Sequence, residues 1–159
     1  MIQRIQTVYL LAVVVICLAS LFATVGIYEE AATGALVARF GNFTLSSPIL
    51  QGSGPYALGV LLVLVLLIDL LTVFLFRHRM RQLRLAIFST ILLVGYVAVY
   101  AFFAWFYWQK LEVALPDVHF QFRLPLMAIL PLVCIVLNAL AIGGIRKDEA
   151  LIRSLDRLR

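Results

Sequence analysis

Four long apolar runs set the pattern of this chain: Val8–Ile27, Ala57–Phe76, Leu85–Tyr107 and Leu124–Ile145. A helix needs about 20 apolar residues to cross roughly 30 Å of hydrocarbon, and each run has that length. The pattern predicts an all-α membrane fold, a four-transmembrane-helix bundle in one domain over residues 1–159. Between the runs, segments 28–55 and 108–123 are too long for plain helical turns. In the first, Ala35–Phe40 and Phe43–Ser46 flank Gly41-Asn42, a dipeptide suited to a two-residue hairpin turn. In the second, apolar and polar residues alternate over Val118–Arg123. A small β-sheet is expected, a hairpin joined by a third strand, because an isolated hairpin is marginal in water. Pro125 is expected in the first turn of the fourth helix, and Pro131 is expected to kink it.

Composition agrees with this reading. Of 159 residues, 64% are hydrophobic and 13% charged, and the mean hydropathy is +1.07. Soluble domains carry about 25% charged residues, so a soluble enzyme, a nucleic-acid module and a disordered chain are excluded. The net charge of +5 does not point to nucleic acid, because most basic residues flank the apolar runs. All but Arg39, Lys110 and Arg123 of the 13 basic residues belong to the N-terminus, the Arg77–Arg84 connector and the 146–159 tail. The excess of Lys and Arg predicts that both termini are cytoplasmic and the β-forming segments outside. The first run resembles a signal peptide only superficially, since its apolar stretch is too long, and it is expected to be a retained span.

Asp69 is the one formal charge deep inside a run. Burying a carboxylate at mid-bilayer costs about 2.5–3.5 kcal/mol on insertion scales, so an intramembrane acid is a functional candidate by default. Counting from the cytoplasmic ends of their runs, Asp69 and Asn138 share a depth. Ser89 and Thr90 enter nearby from the third run, and Gln6, Thr7 and Tyr9 from the first. A polar cluster of Asp69, Asn138, Ser89 and Thr90 is expected. It reads either as a neutral acid joining helices by hydrogen bonds or as a step in a proton path.

Other chemistry is sparse. Cys17 and Cys134 lie in apolar runs without a CxxC motif and read as small buried hydrophobes. His78 and His119 fall on opposite sides of the membrane and cannot share a metal. Asp69 and Asp117 likewise cannot meet as a protease pair. No phosphate loop, nucleophile elbow or HExxH motif occurs, so no catalysis, cofactor or metal is expected. A four-helix drug exporter would carry an acid in its first span, and this chain has none there. Trp105, Tyr107 and Trp108 are expected to anchor the third helix at the outer headgroup layer, with a lipid or quinone platform as the sharper alternative. In the tail, Leu151, Leu155 and Leu158 form one apolar stripe, and Glu149 and Arg153 are spaced for an ion pair. Arg146, Glu149, Leu151, Arg153 and Leu155 are candidate docking residues, for a partner protein or for the bilayer surface.

The two ends, Met1-Ile-Gln-Arg-Ile-Gln-Thr-Val-Tyr-Leu-Leu11 and Ile145-Arg-Lys-Asp-Glu-Ala-Leu-Ile-Arg-Ser-Leu-Asp-Arg-Leu-Arg159, resemble those of a domain-of-unknown-function family of small four-span inner-membrane proteins found chiefly in Bacteroidetes. The resemblance implies the location and the architecture; it brings no activity and no catalytic residues. The expected function is a non-catalytic accessory subunit of a larger inner-membrane complex, either of protein translocation and envelope biogenesis or of respiration. Its expected partners are the lipid bilayer and other integral membrane subunits. A small proton-coupled transporter using Asp69 and a lipid- or quinone-binding protein are the alternatives.

Overall fold

The computed structural model describes residues 2–50, 52–75 and 79–156. Four long helices, α1 (Ile2–Leu21), α2 (Tyr56–Phe74), α3 (Arg79–Ala114) and α4 (Leu130–Asp156), carry a sheet of β1 (Thr24–Glu30), β2 (Leu36–Gly41), β3 (Leu45–Ser46) and β4 (Phe120–Arg123). Helix α1 packs on α2 and α4, and α3 packs on the same two. Both the end of α1 and the turn leading into α4 adjoin β1, so these two helices run antiparallel. Among the described residues, Tyr56–Phe74, Met80–Ala114 and Leu126–Ala150 are long and apolar enough to cross a membrane, while the apolar stretch Thr7–Leu21 is shorter. Val60, Leu64, Leu67 and Leu71 on α2 and Leu132, Val136 and Leu140 on α4 are exposed. Water would penalise apolar surface of that extent, whereas lipid tails would not.

The first apolar run breaks at Leu21 and resumes as a strand. Hydropathy alone does not separate a buried strand from the end of a helix, and Val25 and Tyr28 are as apolar as the helix before them. This strand is the central element of the antiparallel sheet, whose order is β3-β2-β1-β4. The expected hairpin and third strand are therefore present, but β1 stands between them and joins them. Pairing sets Tyr28 opposite both Ala38 and Phe122, and Gly26 opposite Phe40, all on one face. The other face presents Arg39, Gln121 and Arg123 to solvent, with Arg123 beside Glu29 at 3.4 Å.

Three local expectations are corrected. The connection from β2 to β3 spans Asn42–Thr44, closed by the Gly41 N–H on the Thr44 carbonyl, so Gly41-Asn42 is not a two-residue turn. Neither residue has a positive φ; Gly34 does, at 68°, in the turn between β1 and β2. Pro125 caps a 3₁₀ turn, Leu126–Ile129, rather than entering α4 directly. Pro131 falls in the first turn of α4, directly after that 3₁₀ turn, where its missing N–H breaks no intrahelical bond, rather than in the helix interior.

Helix α3 is the mast of the molecule. Its 36 residues span about 54 Å at about 1.5 Å per residue, well beyond a bilayer core of roughly 30 Å. The third apolar run was expected to end at Tyr107; the helix continues to Ala114, and the sheet leans on residues 100–108 of it. The Tyr28 hydroxyl donates to the Ala104 carbonyl at 2.6 Å, and the Tyr100 hydroxyl donates to the Val25 carbonyl at 2.8 Å. Phe40 stacks its ring between Tyr28 and Tyr107, with centroids at 6.1 and 5.3 Å. Its ring also covers Gly26, where a Cβ would lie 2.1 Å from the ring edge.

Candidate functional site

Two groups of buried polar side chains interrupt the apolar interior. The first joins the sheet to the helices through Asn42. Its amide nitrogen donates at 2.7 Å to the Ser20 carbonyl, which also accepts from the Ala23 N–H at the end of α1. Its side-chain oxygen accepts from the Tyr96 hydroxyl of α3 at 2.7 Å, and its backbone carbonyl accepts from Gly59 N–H of α2 at 3.1 Å. One asparagine thus ties three helices to the sheet. Phe43 beside it packs on α2, where the absence of a side chain at Gly59 makes room for the ring. The Asn42-Phe43-Thr44 triplet has the form of a glycosylation sequon, but the amide that would be modified is buried and engaged.

The second group lies deeper. Asp69 of α2, Ser89 of α3 and Asn138 of α4 each have 0% exposure. Asn138 donates to the Ser89 hydroxyl at 3.2 Å. The Asp69 carboxyl faces both of them. Neither of its oxygens, nor Asn138 Oδ1, reaches hydrogen-bonding geometry with a partner among the described residues. Thr90 does not join: it follows Ser89 by about 100° around the helix, and its hydroxyl bonds back to the Ala86 carbonyl at 2.8 Å. The contribution of α1 is also different from the expected Thr7 and Tyr9. Cys17 of α1 meets Cys134 of α4, with sulfurs 3.7 Å apart and exposures of 1% and 0%. Given the antiparallel pairing, that contact sets Val13, not a polar residue, level with Asn138. Gln6 lies outside the side chains described.

The aromatic end of α3 divides by role. Trp105 is 60% exposed, as an anchor in lipid would be. Tyr107 is 3% exposed and belongs to the core beneath Phe40, which corrects its assignment as an interface anchor. Trp108 is half-buried, donates to Glu112 at 2.7 Å, and helps line a hollow of about 340 Å³ with Tyr28, Ala104, Trp105 and Phe122. A second hollow of about 310 Å³ opens beside Lys110, whose ammonium lies 4.7 Å over the Phe106 ring. Outside the bilayer-length part of the helices, burial raises the Tyr28 phenol well above its ordinary range, which keeps it a donor to Ala104.

In the tail, Arg146 is exposed and Glu149 half-buried. Leu151, Arg153 and Leu155 continue α4, but their side chains lie outside those described, as do Leu158 and His78 altogether. Among the described residues, no group of three His, Cys, Asp or Glu side chains could hold a metal ion.

The model of a family described as Domain of unknown function (DUF4293) matches residues 2–158. The chain belongs to that family, and the likeness first visible at its two ends runs through nearly its whole length. No curated protein and no solved structure matches it.

Proposed function

We propose that this chain is a four-span protein of the bacterial inner membrane, with both termini cytoplasmic, serving as a non-catalytic accessory subunit of a larger membrane assembly. The observation that carries the reading is the way the sheet is held. Hydrogen bonds of Tyr28, Tyr100 and Asn42 fix it to three helices, yet Arg39, Gln121 and Arg123 on its other face are exposed and β3 and β4 stand at its edges. Such a platform is costly unless something uses it, because open strand edges invite unwanted pairing. The twenty residues of α1 reach roughly 30 Å, enough for a fourth crossing beside the three helices with longer apolar stretches. The basic connector and tail then lie on one side and the sheet on the other.

The test is gentle solubilisation of native membranes and capture through a tag in the 31–34 turn. The reading expects membrane partners in fixed stoichiometry, released when Arg39 and Arg123 are both changed to Glu. Recovery of the chain alone, or partners indifferent to those changes, would contradict it.

A second reading has one observation in its favour. The hollow between Tyr28, Trp105, Trp108 and Phe122 has the size and the aromatic walls of a small apolar ligand site. A lipid or quinone in it would co-purify with the wild type and be lost on Trp108→Leu.

A further inference from the structure

We infer that Asp69, Ser89 and Asn138 form a binding site for a single proton, which enters from the α2–α3 connector side only. The inference needs the helices to be embedded in a membrane and is independent of the subunit reading above. It begins with a hydrogen count. The cluster offers the two oxygens of Asp69, Ser89 Oγ and Asn138 Oδ1 as acceptors. Its polar hydrogens are the two on the Asn138 amide and the one on the Ser89 hydroxyl. One hydrogen is lacking, and the atoms left without partners among the described residues are the two Asp69 oxygens and Asn138 Oδ1.

Among the described residues, no cation makes up the difference. The groups that act on the carboxyl or lie close enough to feel its charge are Cys17 of α1, Ser89 of α3 and Asn138 of α4, with Cys134 against Cys17, and none of them is positively charged. A metal ion would need further oxygen ligands and its own volume. A proton needs neither. Added to an Asp69 oxygen from water, it converts the carboxylate to a carboxylic acid that can donate within the cluster. The formal charge is removed and the hydrogen count balances.

The route follows from which side is polar. One turn beyond Asp69 toward the connector stands Thr72, with 0% exposure, and its carbonyl accepts from the Gln82 amide at 3.3 Å. Gln82 is itself buried and lies two turns before Ser89 on α3. The Thr72 hydroxyl bonds back to the Ile68 carbonyl at 2.7 Å, so the polar track on this side runs through the Gln82 amide and the Thr72 backbone carbonyl, one turn short of the acid. In the other direction, the next buried layers are Leu62 and Val65 of α2, Leu93 of α3 and Cys134 of α4. Apart from the Cys17–Cys134 thiol contact, polar contacts among the described residues resume at Tyr96 and Asn42, against the sheet. A track on one side of the acid loads and unloads a proton from that side, and does not conduct.

Infrared spectroscopy of the full chain in lipid vesicles tests this. The wild type should show a protonated-acid carbonyl band at neutral pH that Asp69→Asn removes. After transfer to deuterated water, that band should shift several-fold more slowly in the Thr72→Val/Gln82→Leu double variant, and at the wild-type rate in Tyr96→Phe. Should Asp69→Asn not fold, wild-type protein with carboxyl-labelled aspartate should give one acid signal in solid-state NMR at neutral pH. Loss of a carboxylate band instead of an acid band, absence of any acid signal, or exchange slowed by Tyr96→Phe and not by the double variant would each overturn the inference.

Discussion

The Tyr96 hydroxyl donates to Asn42 Oδ1 at 2.7 Å while the amide of the same asparagine holds the Ser20 carbonyl at the end of α1. Both side chains are almost fully buried, so neither bond has water as an easy substitute. Removing one partner leaves buried polar groups unpaired, which costs about 1–3 kcal/mol each. Asn42→Ala should therefore lower the unfolding temperature in detergent more than Tyr96→Phe. The double variant should cost less than the two single changes combined, because it removes a shared bond once. Additive effects would show that the two residues do not act together.

Two glycines are fixed by the rings that cover them. A Cβ at Gly26 would lie 2.1 Å from Phe40, and one at Gly59 would lie 2.1 Å from Phe43. Gly59→Ala should destabilise by about 1–3 kcal/mol through overpacking. Phe43→Leu should relieve most of that cost in the double variant. Unfolding midpoints of the four proteins check both statements.

The Tyr28 phenol gives a prediction about pH. Burial raises its folded value above that of the unfolded chain, so the stability it contributes is complete below the unfolded pKa of about 10. That contribution is lost as pH rises beyond it, because the unfolded state then ionises first. Tyr28→Phe should cost about 0.5–1.5 kcal/mol at neutral pH for the lost bond to Ala104. The variant should also lose part of the wild-type decline in stability under alkaline conditions. Parallel melting curves from neutral to alkaline pH would expose an equal decline in both, contrary to this assignment.

Cys17 and Cys134 face one another inside the helices with 1% and 0% exposure. Neither thiol should react with a maleimide in the folded protein, and both should react after denaturation. Ready modification of either in the native state would contradict the packing of α1 on α4.

Much of this architecture is legible in the chain. The apolar runs mark the helices, Val118–Arg123 contains β4, and the flanks of Gly41-Asn42 contain β2 and β3. The equal depth of Asp69 and Asn138 correctly brings those two side chains together with Ser89. What escapes a linear reading depends on partners distant in sequence. Val25 and Tyr28 continue an apolar run and become a strand only because Tyr100 and Ala104 receive them. Asn42 has the composition of a turn residue, and its role arises from Ser20 and Tyr96, which are far away along the chain. Thr90 fails for a simpler reason: adjacent helical residues point in different directions, so it could not share the Asp69 cluster with Ser89. Gly34, with a positive φ in the turn between β1 and β2, is a local signal that marks the end of β1.

The central claim is that the sheet and the two chain ends lie on opposite sides of the membrane. Single cysteines at Ser46 on the sheet and Lys147 in the tail can be probed in intact spheroplasts with a membrane-impermeant maleimide, both positions being exposed. Since the native thiols are buried, they need not be removed. The account predicts that Ser46→Cys labels in intact spheroplasts and Lys147→Cys only after permeabilisation. Labelling of both from outside, or of Lys147→Cys alone, would contradict it.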